Sequence, residues 1–169
     1  GQLDLYVANG RVRLGTGTGL PSGDPFAEAN SLSRGLGGGR FAAVLPEGGT
    51  TPLLEATSRG LAVGDLDNDG AQDLVVLNRD GPVHLLRNIS APDRGWIRIE
   101  LYGHRGLNPR NAILRLESEI GVQWRNHQPN QGYCSSGDPR VHFGLGSAQK
   151  GRLWVRWPDG TAEDFGVLD

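Results

Sequence analysis

From Trp96 onward apolar and polar positions alternate, with Ile97, Ile99 and Leu101 on one side and Trp96, Arg98, Glu100 and Tyr102 on the other. This is the period of a strand with one buried face, and it predicts that the three aliphatic residues point to the core and that replacing Arg98 matters much less to folding than replacing Ile99 by Asp. Further short runs at residues 112–117, 122–126, 141–143 and 153–157 are separated by turn residues. Short strands at such regular spacing predict an antiparallel β-sandwich. Pro158-Asp159-Gly160 ends the last run with a turn that should lead into one more strand, so the chain is expected to stop short at that end.

Earlier in the chain the pattern is of short apolar runs. Leu61-Ala62-Val63-Gly64, Leu74-Val75-Val76-Leu77-Asn78 and Val83-His84-Leu85-Leu86-Arg87 read as strands, the last two joined by the turn Arg79-Asp80-Gly81-Pro82. Residues 10–50 are rich in Gly, Ser, Thr and Pro and predict long loops around weak strands, with Arg40-Phe41-Ala42-Ala43-Val44 as one. Neither the Gly15–Gly19 run nor the Gly35–Gly39 run follows a strong strand, opens a helix or precedes Lys-Ser/Thr, so neither is a phosphate-binding loop.

Between the first two runs lies Asp65-Leu66-Asp67-Asn68-Asp69-Gly70-Ala71-Gln72-Asp73. Carboxylates at positions 1, 3, 5 and 9, a turn glycine at 6 and a backbone carbonyl at 7 make a cradle for a hard cation that takes six to eight oxygen ligands. Asp65, Asp67, Asp69, the Ala71 carbonyl and Asp73 are the candidate Ca²⁺ ligands. An acidic surface turn is the plainer alternative, since Asp, Asn and Gly dominate turns. Four unneutralised carboxylates at this spacing would repel one another, which favours the metal, and the lack of His or Cys favours calcium. Position 12 is Val76 in place of the Glu of a helical calcium hand, so the loop should join strands.

The loop is partly repeated. Gly1-Gln2-Leu3-Asp4-Leu5-Tyr6-Val7-Ala8-Asn9 aligns with Gly70-Ala71-Gln72-Asp73-Leu74-Val75-Val76-Leu77-Asn78, matching Gly, Asp, Leu, Val and Asn in register. The chain is thus expected to open inside an earlier copy whose first site is incomplete, as in a fragment of a propeller or β-repeat array.

Composition narrows the function. The 27 Gly and 10 Pro suit many turns and short strands, and no apolar run approaches the roughly 20 residues that span a bilayer. The absence of Met and of a basic-then-apolar leader fits a fragment or a processed chain. With 17 basic against 19 acidic residues and no basic stripe, nucleic acid is not a partner. The basic side chains are nearly all Arg, a bias expected of a GC-rich bacterial source. Cys134 stands alone, forms no internal disulfide and is expected to be a small buried hydrophobe. Asn88-Ile89-Ser90 is a glycosylation sequon, meaningful only in a secreted eukaryotic protein.

Catalytic patterns are weak. Ser135 or Ser136 with Asp138 and His142 could be drawn as a triad, but no G-x-S-x-G elbow occurs. Glu100, Glu117 and Glu119 are not set apart from a solvated strand face, and His84, His104 and His127 lack metal-ligand spacing.

Residues 59–88, reading RGLAVGDLDNDGAQDLVVLNRDGPVHLLRN, resemble an FG-GAP (VCBS-type) repeat, the calcium-loop repeat of integrin-like β-propellers. From Trp96 on, the pieces Trp96-Ile97-Arg98-Ile99-Glu100-Leu101, Gly132-Tyr133-Cys134, Val141-His142-Phe143-Gly144-Leu145-Gly146 and Val155-Arg156-Trp157-Pro158-Asp159-Gly160 resemble the ASPIC/UnbV domain that follows such repeats in the cartilage acidic protein family and its bacterial relatives. The segment 108–115 departs from that pattern, which usually has a Gly-Ala pair after the Ile.

The expected fold is therefore all-β: a partial propeller-type repeat region over residues 1–92 with one complete calcium loop, then an ASPIC/UnbV-like β-sandwich over 93–169. The resemblance implies a secreted, extracellular or periplasmic module without catalysis. It would bind calcium and a protein or glycan partner in adhesion or assembly. A structural subunit of a larger complex is the alternative, and a hydrolase or lyase acting on polysaccharides or esters is the remote one.

Overall fold

The structure, a computed structural model, describes residues 2–12, 23–90, 94–103 and 109–169. The Gly15–Gly19 run, His104 and Asn108 lie outside the described residues. The fold is all-β and antiparallel throughout, with no α-helix among the described residues and a single 3-10 turn at Glu47–Gly49.

In the N-terminal half, β1 (Leu5–Val7), β3 (Ser31–Gly37) and β4 (Arg40–Ala43) form one sheet in the order β1-β3-β4. The short strands β2 (Glu28–Ala29) and β5 (Glu55–Ala56) pair with each other, and β6 (Ser58–Gly64), β7 (Asp73–Asn78) and β8 (His84–Leu86) form a meander. The seven-residue β3 corrects the expectation of long loops. Its Ser and Gly side chains give no apolar alternation, yet its backbone pairs on both sides, with Leu5 opposite Ser33 and Ser33 opposite Ala43. The Gly38 and Gly39 turn that follows needs positive φ at both residues, 58° and 73°, which explains the glycine run.

The two aligned segments have matching geometry. Asp73 opens β7 and its Oδ1 accepts from the Asn88 N–H at 2.8 Å, just beyond the partner strand β8. Asp4 precedes β1 and its Oδ1 accepts from the Gly35 N–H at 2.8 Å, in the matching place on the partner strand β3. A carboxylate latching the paired strand one residue beyond its register partner is thus repeated along with the sequence.

The C-terminal half has two facing sheets. One pairs β9 (Gly95–Ile99) with β12 (Val141–Gly146). The other has the order β11-β10-β13-β14, built from β10 (Ile113–Ser118), β11 (Gly121–Asn126), β13 (Gly151–Arg156) and β14 (Ala162–Leu168). Ile97, Ile99, Val141, Phe143 and Leu145 from the first meet Leu114, Leu116, Leu153 and Val155 from the second in one core, with Leu101 partly buried at its border. The alternation read from the sequence is therefore the buried face of β9. The strand beyond the Pro158-Asp159-Gly160 turn lies within the chain as β14, contrary to the expectation that the chain stops before it.

The halves meet along β6, the edge of its sheet. Ser135 Oγ accepts from the Leu61 N–H at 2.9 Å, and the Asp138 N–H donates to the Val63 carbonyl at 2.8 Å. Gly132 and Gly137 allow this approach, since a Cβ on either would lie 2.9 Å and 2.8 Å from the Leu61 and Val63 carbonyl oxygens. Cys134 caps this crossing at φ 47°, between Gly132 and Ser135, which form an isolated β-bridge. It is exposed, which corrects the expectation of a buried thiol: a tight turn with a side chain aimed outward overrides the residue's preference for the interior.

Candidate metal centre

The acidic segment links β6 to β7, so the ends of two hydrogen-bonded strands fix its first and last carboxylates. Asp65 and Asp73 are each only 2% exposed. Burial of this degree requires partners. Asp65 accepts from the N–H groups of Asp69 at 3.1 Å and Gly70 at 3.0 Å; Asp73 accepts from Leu66 at 2.9 Å and Asn88 at 2.8 Å. Asn68 and Gly70 take positive φ, 59° and 87°, and so turn these amides inward.

One carboxylate oxygen from each of Asp65, Asp67 and Asp73 lies within 4.8 Å of the other two. Ca–O bonds of 2.3–2.6 Å allow two ligand oxygens to be about 5 Å apart at most, so this trio fits a single calcium ion and its all-oxygen set suits a hard cation. Asp69 stands outside the trio. Its Oδ1 accepts from the Ala71 N–H at 2.8 Å, and its Oδ2 is 3.4 Å from Arg87.

Two arginines complete the electrostatics, and their behaviour differs. Arg87 is largely exposed and reaches Asp67 Oδ2 at 2.6 Å; Asp67 and Asp69 hold its guanidinium more firmly protonated than usual. Arg98 comes from β9, in the other half of the chain. Its Nη1 donates to Asp65 Oδ2 at 2.9 Å and its Nη2 to Asn68 Oδ1 at 2.7 Å, with only 13% of the side chain exposed. The face of β9 opposite the core is thus covered by the acidic loop, where the alternation predicted a solvated face. Four carboxylates against two guanidinium groups leave a local charge of −2, which one divalent cation would neutralise.

Trp96 shares that face. Gly70 sits against its ring so closely that a Cβ there would lie 2.0 Å from the indole, the Arg98 guanidinium lies 5.2 Å from the ring centroid, and the His142 ring of β12 stacks with it at 6.2 Å. His142 Nδ1 is buried without a hydrogen-bond partner, and burial pushes the pKa of this ring down. Sequence reasoning missed Trp96 and Arg98 because their partners are some thirty residues away; the only available signal was a tryptophan and an arginine on the supposedly wet face of a strand.

The serines and the aspartate of the drawn triad are engaged by groups other than His142. Ser135 Oγ donates to the Tyr133 carbonyl at 2.8 Å, and Ser136 Oγ donates to Asn130 Oδ1 at 2.6 Å. Asp138 is forked by Arg140, with Nη2 to Oδ2 at 2.6 Å, which holds its carboxyl below the usual range. His127 lies between the Pro109 and Pro139 carbonyl oxygens at 3.1 and 3.0 Å.

The pairing of a docked acidic loop with a two-sheet module sets the frame for comparison with known proteins. Residues 108–168 match the family described as ASPIC and UnbV. Over 113 residues the chain is 29% identical to cartilage acidic protein 1 of Homo sapiens, covering 63% of this chain and 17% of that protein. The Mus musculus protein gives 29% over 113 residues, with 63% and 18% covered. Cartilage acidic protein 1 of Xenopus tropicalis is 30% identical over 105 residues, with 60% and 16% covered. The chain thus spans less than a fifth of the length of the curated relatives it matches. The sandwich is similar to ASPIC/UnbV domains; the FG-GAP resemblance of the first half rests on residues 59–88 alone. Among the described residues, no helix is long and apolar enough to cross a membrane.

Proposed function

We propose that this chain is a non-catalytic, calcium-binding module of an extracytoplasmic protein, with an FG-GAP-like region over residues 1–92 and an ASPIC/UnbV-like sandwich over 93–169. One Ca²⁺ held by Asp65, Asp67 and Asp73, and completed by Asp69 and the Ala71 carbonyl, stiffens the loop on which β9 rests. The β-surface so fixed is offered to a protein or glycan partner in adhesion or assembly. The observation that carries this reading is the convergence of three carboxylates within 4.8 Å in a loop whose −2 charge is otherwise uncompensated. The role of the ion is structural, because the buried Asp65 and Asp73 that would hold it sit at the two strand ends the loop joins, where an ion clamps β6 to β7. Calcium at the concentrations found outside cells suits the dissociation constants of about 10⁻⁴–10⁻³ M typical of extracellular modules.

A role as a structural subunit draws support from one feature. Leu5, Val7 and Phe41 in the sheet β1-β3-β4 are exposed apolar side chains, as expected where another repeat would pack.

The test is a thermal melt in calcium and in chelator. At a hundredfold excess over the dissociation constant the ion adds about 2.7 kcal/mol, which for a chain of this length raises Tm by roughly 5–11 °C. Equal midpoints in the two conditions would defeat the proposal.

A further inference from the structure

The outward face of the four-stranded sheet, away from the acidic loop, carries a groove of about 610 Å³ lined by Ile113, Arg115, Trp124, Trp154 and Arg156 together with small aliphatic surface. That volume is in the range of small-ligand sites. Strand register puts three of these residues in one row: Arg115 of β10 stands opposite Trp124 of β11 on one side and opposite Trp154 of β13 on the other. The Arg115 guanidinium lies 4.4 Å from the Trp154 ring centroid and 5.9 Å from that of Trp124, and Arg152 approaches Trp154 at 5.1 Å. Trp124 is nonetheless 58% exposed. An exposed indole beside a half-buried one, with an arginine stacked between them, makes an amphipathic aromatic platform of the kind enriched at interaction sites.

The charge of the groove points to the occupant. Its lining holds two guanidinium groups and no carboxylate. Glu117 pairs with Arg115 at 2.9 Å, and Asp164, opposite Trp154 on β14, pairs with Arg152 and accepts from the Trp154 indole, so Arg156 is the guanidinium left for an occupant. Arg156, one row along and opposite Ile113, makes no ion pair among the described residues. A purely apolar occupant would strip water from these cations and return nothing, whereas an anion would pair with Arg156 in the forked geometry that arginine favours. The indoles add a second constraint. Trp124 and Trp154 stand two strands apart, roughly 9–10 Å by sheet spacing, which is the span of two sugar residues in an extended chain. A pyranose ring presents a flat C–H face to an indole while its hydroxyls stay wet.

We infer that this groove binds an anionic glycan, a uronate-bearing or sulfated oligosaccharide. Its sugar faces stack on Trp124 and Trp154 and its anion pairs with Arg156. The inference rests on the reading of the chain as a binding module and names the ligand class.

The test exposes the calcium-loaded chain to an array of uronate-bearing, sulfated and neutral oligosaccharides together with a polyglutamate peptide, followed by calorimetry on the best-retained glycan. Anionic glycans are expected to be retained over neutral ones, and Trp124→Ala and Arg156→Gln should each weaken the best by at least tenfold. Both side chains are exposed, so the variants should keep the wild-type calcium-dependent melt; this separates a failure of the glycan site from a failure of the calcium site. Retention of no anionic glycan, equal retention of neutral ones, affinity unchanged in both variants, or retention of the polyglutamate alone would each overturn the inference.

Discussion

Replacing Arg98 by Met keeps most of the length of the side chain and deletes one charge. Asp65, whose side chain is fully buried, loses the Nη1–H donor at 2.9 Å and keeps two backbone donors, from Asp69 and Gly70. Removing one partner of a buried ion pair costs about 3–5 kcal/mol. The two remaining amides, and the part of Arg98 that still meets solvent, put the expectation at the lower end, about 3 kcal/mol. For a chain of this size that is a fall in Tm of roughly 6–12 °C in chelator. Calcium narrows the difference. In the wild type a bound ion shares Asp65 with a guanidinium that repels it; in the variant it does not. The gap between calcium and chelator midpoints should therefore be wider for Arg98→Met than for wild type, and calcium should recover part of the loss. Scanning calorimetry of both proteins in both conditions measures this. A variant as stable as wild type in chelator, or one that gains less from calcium, would refute the account of Arg98 as a fixed counter-charge to the loop.

Two further outcomes are expected. Ile99→Asp places an unpaired carboxylate in the sandwich core and, against a typical total stability of 5–15 kcal/mol, should abolish the cooperative near-UV signal of folding; a folded variant would show the register of β9 to be wrong. His142 is held neutral by burial, so its folded pKa lies below the ordinary 6.5 while the unfolded chain takes up a proton near that value. The unfolded state then binds more protons as pH falls from about 6.5 toward the lowered folded pKa, and stability should drop across that window. Urea unfolding at pH 7.5 and 5.5 should show a smaller drop in His142→Phe, and an equal drop would exclude His142 as the source.

How much was legible follows the range of the interactions. The acidic loop was readable as a candidate because its spacing lies in nine consecutive residues, and the structure brings one oxygen from each of Asp65, Asp67 and Asp73 within 4.8 Å of the others. The face of Ile97 and Ile99 was readable because a strand repeats every second position. Asp69 lies outside that trio, and equal spacing does not reveal that Arg87 and the Ala71 amide engage its oxygens. Strand β3 was hidden because Ser and Gly contribute a backbone ladder without an apolar pattern. The role of Arg98 was the largest omission: alternation identifies the face of a strand that is not in the core, but says nothing of what a distant loop may lay on it.

The crossing of residues 132–138 over β6 has a consequence for the order in which the molecule comes into being. The β6-β7-β8 meander is complete once residue 86 has been made, yet the groups that occupy the free side of Leu61 and Val63 belong to Ser135 and Asp138. At about 5–20 residues per second, synthesis leaves those strand groups without their final partners for several seconds. Throughout that interval the nascent chain offers an open strand flank to any neighbour, and closure arrives only from the far end of the polypeptide.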